Sequence, residues 1–202
     1  MKSTGLQLWE STENDNISDL DQERRDLYWV VFGMDKQRTY ISGRPLDLHF
    51  YDSDVRMFQL MTSQTLAERC WKAHVHMMAV WEEIYIYLYS FRAFRRGPAY
   101  RQSQIPKLDS LSRGWYARNG SLFSKTVPAE GSVANFWCIE LKYVFHIGQV
   151  LVHRFSSDAG SQQVTQSNSR ATLTLICDVF NAKQTEASIS LLVRLVSPLD
   201  SR

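Results

Sequence analysis

Cysteine is scarce. Cys70, Cys138 and Cys177 are the whole complement, and no Cys-x-x-Cys pair occurs. That leaves no basis for a zinc cluster or a thioredoxin-type site. A sparse, odd count fits a reducing compartment better than a secreted disulfide scaffold. No uncharged apolar run reaches the roughly 18 residues of a membrane span. The start, MKSTGLQLWESTENDNISD, has no apolar signal core and reads as cytoplasmic or nuclear. No Gly-x-Ser-x-Gly elbow is present, and no Gly-rich phosphate loop follows a strand. Alternating Val/Ile/Thr runs and internal repeats are also lacking, so nothing points to a sheet. The net charge of +2 is too small to argue for nucleic acid by itself.

What is present reads as helix. Aromatic residues make up 12% of the 202 residues, enough bulk for a real core. Ser18 or Asp19 is placed to cap a first helix, with Asp21 and Glu23 favourable in its first turn. Leu27, Val30, Val31 and Met34 share one face, and Tyr28 and Phe32 widen it. Gly33 is a weak helix former, which implies a close neighbour. Gly43 suits a left-handed helix stop, Pro45 prevents resumption, and Arg38 lies near the helix's negative end.

From Val55 to Arg96 there is neither Gly nor Pro. Leu66, Cys70, Ala73, Met77, Trp81, Ile84, Leu88 and Phe91 form one stripe, and Trp71, Met78 and Tyr85 a second. The pattern predicts one long helix packed on several neighbours, ended by FRAFRRGP. Thirty helical residues span about 45 Å, more than the roughly 33 Å gyration diameter of a compact chain this long. The expectation is an elongated domain or a missing neighbour. Pro106–Arg118 reads as a short helix, 119–131 as a loop, Val133–Phe155 as a long helix, SSDAGSQQVTQSNS as a loop, and Ala171–Ala182 as a further helix. Leu191, Leu192, Leu195 and Val196 allow a short helix in the tail. The fold class is all-α, an irregular multi-helix domain.

Candidate chemistry is thin. Cys70 and His74 share a helix face, but His76 points elsewhere, so a buried Cys beside polar histidines outweighs a metal site. Lys142, His146, Gln149 and His153 form a narrow strip that reads as a solvated edge. Glu82 and Glu83 diverge by about 100° on a helix and make no catalytic pair. Charge is distributed unevenly. Residues 1–60 hold seven basic and eleven acidic side chains, while residues 91–126 hold eight basic side chains against Asp109. Arg95, Arg96, Arg101, Lys107, Arg113 and Arg118, interleaved with aromatics, mark a candidate patch for an acidic partner or for phosphate. The bland alternative is helix-end arginines in a solvated region.

Arg24-Arg25, Leu27-Tyr28-Trp29, Asp35, Arg38 and Gly43-Arg44-Pro45 fall at a familiar spacing. They resemble the middle homology region of fungal zinc-cluster transcription factors. Phe145-His146 and His153-Arg154 match a later helix of that family, and Leu108, Leu111 and Trp115 its short Trp-bearing helix. The resemblance covers about residues 20–182. It implies a regulatory domain over 19–182, part of a larger helical array, between a loose segment 1–18 and a tail 183–202. Arg24, Arg25, Trp29, Asp35, Arg38, Gly43, Arg44, Pro45, His146, His153 and Arg154 would be its structural signature, with Asp35 a candidate partner of Arg44. It also implies a nuclear setting, conformational rather than catalytic action, protein partners or self-association, and scope for a small-molecule effector. The six-cysteine zinc module of the family is absent, so no cofactor and no sequence-specific DNA binding are expected of this chain alone. Asp26, Gly33 and Phe155 depart from the pattern. The expectation is a truncated or internal piece. A free-standing helical interaction module and a small helical enzyme are the competing readings.

Overall fold

The computed structural model describes residues 19–50, 65–124 and 133–181. The expectations for residues 1–18, for the helix start before residue 65, for most of the 119–131 loop and for the tail lie outside the described residues. Helices α1 (Asp19–Ser42), α2 (Leu66–Ile84), α3 (Phe91–Arg96), α4 (Pro98–Asn119), α5 (Ser121–Ser124), α6 (Val133–His153) and α7 (Ala159–Asn181) follow in order. Among the described residues there is no strand, and the fold is all-α.

Local signals explain most boundaries. Gly43 ends α1 at φ +67°, the left-handed stop its residue type predicts. Its N–H bonds the Thr39 carbonyl at 2.9 Å. Thr65 and Glu68 form a capping box at the start of α2, with Glu68 N–H to Thr65 Oγ1 at 3.2 Å and Thr65 N–H to Glu68 at 2.7 Å.

The single long helix is a correction. After Ile84 the chain makes a wide π turn over Tyr85–Tyr89, closed by Ser90 N–H to Tyr85 O at 2.8 Å. Ser90 is extended (ψ 153°), and its hydroxyl caps α3 by accepting from Ala93 N–H at 3.2 Å. The stripe from Cys70 to Leu88 is buried as expected, but the break at Ser90 turns Phe91 outward.

Two further boundaries differ from expectation. Gly97, at φ +89°, stops α3 and also opens α4, with Pro98 at the helix start where its missing N–H costs nothing. Helix α4 therefore begins eight residues earlier than Pro106, which it carries on its exposed side. The Ser/Gln-rich "loop" is the first half of α7. Asp158 accepts from Ser161 N–H at 3.0 Å to cap it. Composition misled because this helix packs through polar side chains rather than an apolar stripe.

Side-chain contacts between the helices fix their directions. Tyr40 Oη donates to Trp81 O at 2.6 Å while Gly33 faces His74, so α1 and α2 run parallel. Trp81 Nε1 donates to Val144 O at 3.2 Å and Tyr89 Oη to Leu151 O at 2.8 Å, so α6 runs parallel to both. Trp115 Nε1 donates to Ala73 O at 2.8 Å and Lys107 meets Glu83 at 3.6 Å, which makes α4 antiparallel to α2. Helix α7 is antiparallel to α6. Trp29, Phe32, Met77, Met78, Trp81, Leu108, Trp115, Leu141 and Val144 form the shared core. Cys70 and Cys138 are buried neighbours in it, and burial first, then Cys138, pushes the Cys70 thiol up to about 12.

Helix α1 is rotated from expectation, burying Tyr28 and Phe32 of the expected face but not Leu27, Val30, Val31 or Met34. Tyr28, Trp29, Phe32, Asp35, Lys36 and Thr39 point inward, while Leu27, Val30, Val31, Met34 and Ile41 are exposed. The inward stripe contains two charged residues, Asp35 and Lys36, which are paired inside. Gly33 does have its close neighbour: a Cβ there would sit in van der Waals contact with His74 Cε1 (3.5 Å) and Met78 Cγ (3.7 Å).

Candidate functional site

The chain between Gly43 and Phe50 crosses from the end of α1 back over α2, and it is held by charges from both helices. Asp35 accepts from the backbone N–H groups of Asp47 (3.2 Å) and Leu48 (3.2 Å). Lys36 sits beside it, its Nζ donating to the Leu48 carbonyl. The same Nζ lies 3.4 Å from Asp35 and 3.3 Å from Glu82 of α2, and 4.1 Å from the Phe32 ring centroid. Glu82 in turn accepts from Phe50 N–H at 3.0 Å and meets His49 Nδ1 at 3.0 Å. Arg38 joins the rim, 3.1 Å from Asp35 and also paired with Asp47.

Burial makes this cluster consequential. Lys36 is 0% exposed and Glu82 1%. Charges so placed cost several kcal/mol each in lost hydration unless paired and hydrogen-bonded. Here one ammonium bridges two carboxylates, and backbone N–H groups of the strap fill the remaining acceptor sites. The arrangement fixes a loop to two helices. Its polar groups are largely spent on one another.

The signature positions separate under this geometry. Trp29 packs edge-on against Tyr28 (5.0 Å) and Phe32 (5.3 Å) in the core. Asp35, Arg38 and Gly43 converge on the strap. Arg44 and Pro45 are exposed, and among the described residues Arg44 makes no ion pair, so the expected Asp35–Arg44 pairing gives way to Asp35 with Lys36, Arg38 and the strap backbone. Arg24 is exposed, and the Arg25 side chain lies outside the described residues. Lys36 and Glu82 were missed in sequence: nothing local distinguishes a buried Lys from a surface one.

The α6 strip is not a solvated edge. His153 is buried between Asp109 of α4 (3.1 Å) and Ser161 of α7 (3.0 Å). Gln149 donates to Ser112 at 2.9 Å, and His146 meets Asn168 at 2.7 Å. The strip faces two helices that composition did not place there. For Asp109, burial raises the pKa, but hydrogen bonds from Arg113 and His153 outweigh it and hold the carboxyl below its ordinary value. His74 is buried between Trp71 and Trp137, 3.5 Å from Glu140. Among the described residues no group of three His, Cys, Asp or Glu side chains is placed to hold a metal ion, and no helix is long and apolar enough to cross a membrane.

The basic segment also divides. Lys107 is paired with Glu83 and Arg113 with Asp109 (2.7 Å). Arg118 is exposed far along α4, while Arg95, Arg96 and Arg101 gather where α3 meets α4.

Fold and site define a helical domain that spends its buried charges on holding its own segments together. Among known proteins, the chain is similar to the transcription factor oryO of Aspergillus oryzae (strain ATCC 42149 / RIB 40), with 39% identity over 157 residues. That stretch is 78% of this chain and 19% of the fungal protein, so the chain is related to a fungal transcription factor and spans a small part of its length. No family model and no solved structure matches the chain.

Proposed function

We propose that the chain is a helical regulatory segment of a fungal transcription factor, corresponding to part of the middle homology region and acting in the nucleus. The regulatory unit on this reading is residues 19–182, flanked by the segments 1–18 and 183–202. The observation that carries it is the identity to a transcription factor over most of the chain. The ionic strap supports it. The resemblance singled out Asp35, Arg38 and Gly43, and those residues anchor one loop across two helices. Such a latch does conformational work, with no catalytic step and no cofactor of its own. Protein contact, self-association included, is its mode of action, and the apolar stripe that α1 turns outward supports this. A small-molecule effector and control of a biosynthetic gene cluster fit the family resemblance alone. Base reading needs side chains held in a groove, and the chain has too few cysteines for the family's zinc module.

A reporter assay tests the reading. Placed between a foreign DNA-binding domain and an activating segment, the wild-type chain should lower transcription. Asp35→Ala, at equal protein level, should relieve that restraint. Equal output with and without the chain would overturn the proposal. In a parallel competition assay at about 150 mM salt, CGG half-sites should win over scrambled duplex by less than about tenfold, equal to 1.4 kcal/mol.

A further inference from the structure

Five arginines gather at one end of the bundle. Arg92, Arg95 and Arg96 come from α3, Arg101 from the first turn of α4, and Arg154 from the residue after α6. One shared ring, Phe155, links Arg101 and Arg154, and Arg95 and Arg96 lie over rings of their own. Arg101 lies over Phe94 (4.3 Å) and Phe155 (4.7 Å), and Arg154 over Phe155 (5.1 Å) and Tyr89 (4.8 Å). Arg96 covers Tyr100 at 4.6 Å and Arg95 covers Phe91 at 5.9 Å.

Among the described residues, none of the five forms an ion pair. Asp158, close to Arg154 in sequence, directs its oxygens to the Ser156 hydroxyl and the Ser161 N–H. Arg101 Nε is buried without a hydrogen-bond partner. Beside these cations, Phe91 is 78% exposed and Phe94 50%. This is the reverse of the cluster under the strap, where Lys36 is answered by Asp35 and Glu82.

The geometry selects the ligand chemistry. Base stacking on nucleic acid uses open aromatic faces, and here guanidinium groups lie over one face each of Phe94, Tyr100 and Phe155, leaving Phe91 the most open ring. Arg95, Arg96 and Arg154 are exposed, guanidinium groups fork onto carboxylates, and Phe91 and Phe94 offer exposed apolar surface beside them. We propose that this end of the bundle binds an acidic polypeptide segment that carries apolar side chains. Its carboxylates would engage Arg95, Arg96 and Arg154, and its apolar side chains would pack on Phe91 and Phe94.

The acids ahead of α1 cannot fill this site in cis. Helix α1 starts at Asp19 and reaches this end only at Tyr40, whose ring meets Tyr89 at 5.4 Å. The helix between them is about 31 Å long. Glu10, the acid furthest upstream, extends about 31 Å from Asp19 at full stretch, with nothing left to cross to the arginines. Glu13 and Asp15 fall shorter still. The ligand proposed is a second polypeptide, the chain's own acids outside the described residues, Asp52 and Asp54 among them, being the competitors that the test separates, and this surface stands independently of the regulatory reading.

The test uses the 202-residue chain and a fluorescent synthetic peptide of alternating Glu or Asp with Phe or Leu. Controls are its Gln/Asn analogue and single- and double-stranded DNA of similar length. Anisotropy should show saturable binding of the acidic peptide, weakening as salt rises. The exposed double variant Arg95→Glu/Arg96→Glu should weaken it at least tenfold, with unchanged circular dichroism, whereas Arg118→Glu should leave it unaltered. Equal binding of the neutral analogue would overturn the proposal, as would tighter binding of either DNA. So would a wild type that binds no better than the double variant, the result expected if the chain's own Asp52 and Asp54 already occupy the arginines.

Discussion

The strap over α1 and α2 and the arginine end of the bundle use the same kinds of side chain in opposite ways. Under the strap, Lys36 is enclosed by Asp35, Glu82 and the Leu48 carbonyl, and its charge is answered within a few ångströms. At the α3–α4 junction, arginines lie against aromatic rings and no described carboxylate meets them. A buried charge must be paired or the domain fails. An exposed charge adds little to stability and remains open to a partner.

The sharpest way to break the comparison is Lys36→Ala. It leaves Asp35 and Glu82 buried without their shared cation, and the expected loss is about 3–5 kcal/mol, read by urea denaturation. A loss below about 1 kcal/mol would show that the cluster is wet and the strap loosely held. Next is Gly43→Val, which forces a β-branched residue into the left-handed region at the strap's entrance. It should cost about 1–2 kcal/mol, visible as a lower melting temperature.

A smaller effect is expected from Asp109, which stands between the two extremes, partly exposed but bonded to Arg113 and His153. Its folded pKa is depressed, so the unfolded chain binds the proton more readily. Its contribution is therefore present above the ordinary carboxyl pKa and is lost as pH falls through the lower folded value. Asp109→Asn should cost at most about 1 kcal/mol at neutral pH, and the melting difference from wild type should shrink in acid. A constant difference across that range would show that the carboxylate charge is irrelevant. The smallest effect belongs to the other region: Arg95→Ala and Arg96→Ala should each change stability by less than about 0.5 kcal/mol. A larger loss would mean that these arginines are structural, and the contrast would collapse.

Helix ends were the most legible part of the chain. The stops at Gly43 and Gly97 behave as their residue type dictates, because left-handed helix ends depend on a few neighbouring residues, whereas the opening of α4 at Gly97-Pro98 was not read. The stripe from Cys70 to Leu88 was legible for a similar reason: helical spacing alone puts those side chains on one face. Helix α1 shows the limit. Its Leu27, Val30, Val31 and Met34 face looked like the core, yet Asp35 and Lys36 lie on the buried side. Helix α7 shows it again. Its Ser, Gln and Asn residues read as a loop, and only the facing His146 and His153 of α6 give them partners.

By itself, then, the sequence determined the helical content, the stop at Gly43, the Cys70–Leu88 core stripe and a complement of only three cysteines. These follow from backbone preferences and composition, which act over a few residues or none. The tertiary structure alone decided which face of α1 is buried, that Lys36 and Glu82 form one ion cluster, and that Lys107 and Arg113 are neutralised while Arg95, Arg96, Arg101 and Arg154 meet no described acid. The worth of a charge depends on burial and on partners brought from distant parts of the chain, and neither is set until the helices have packed.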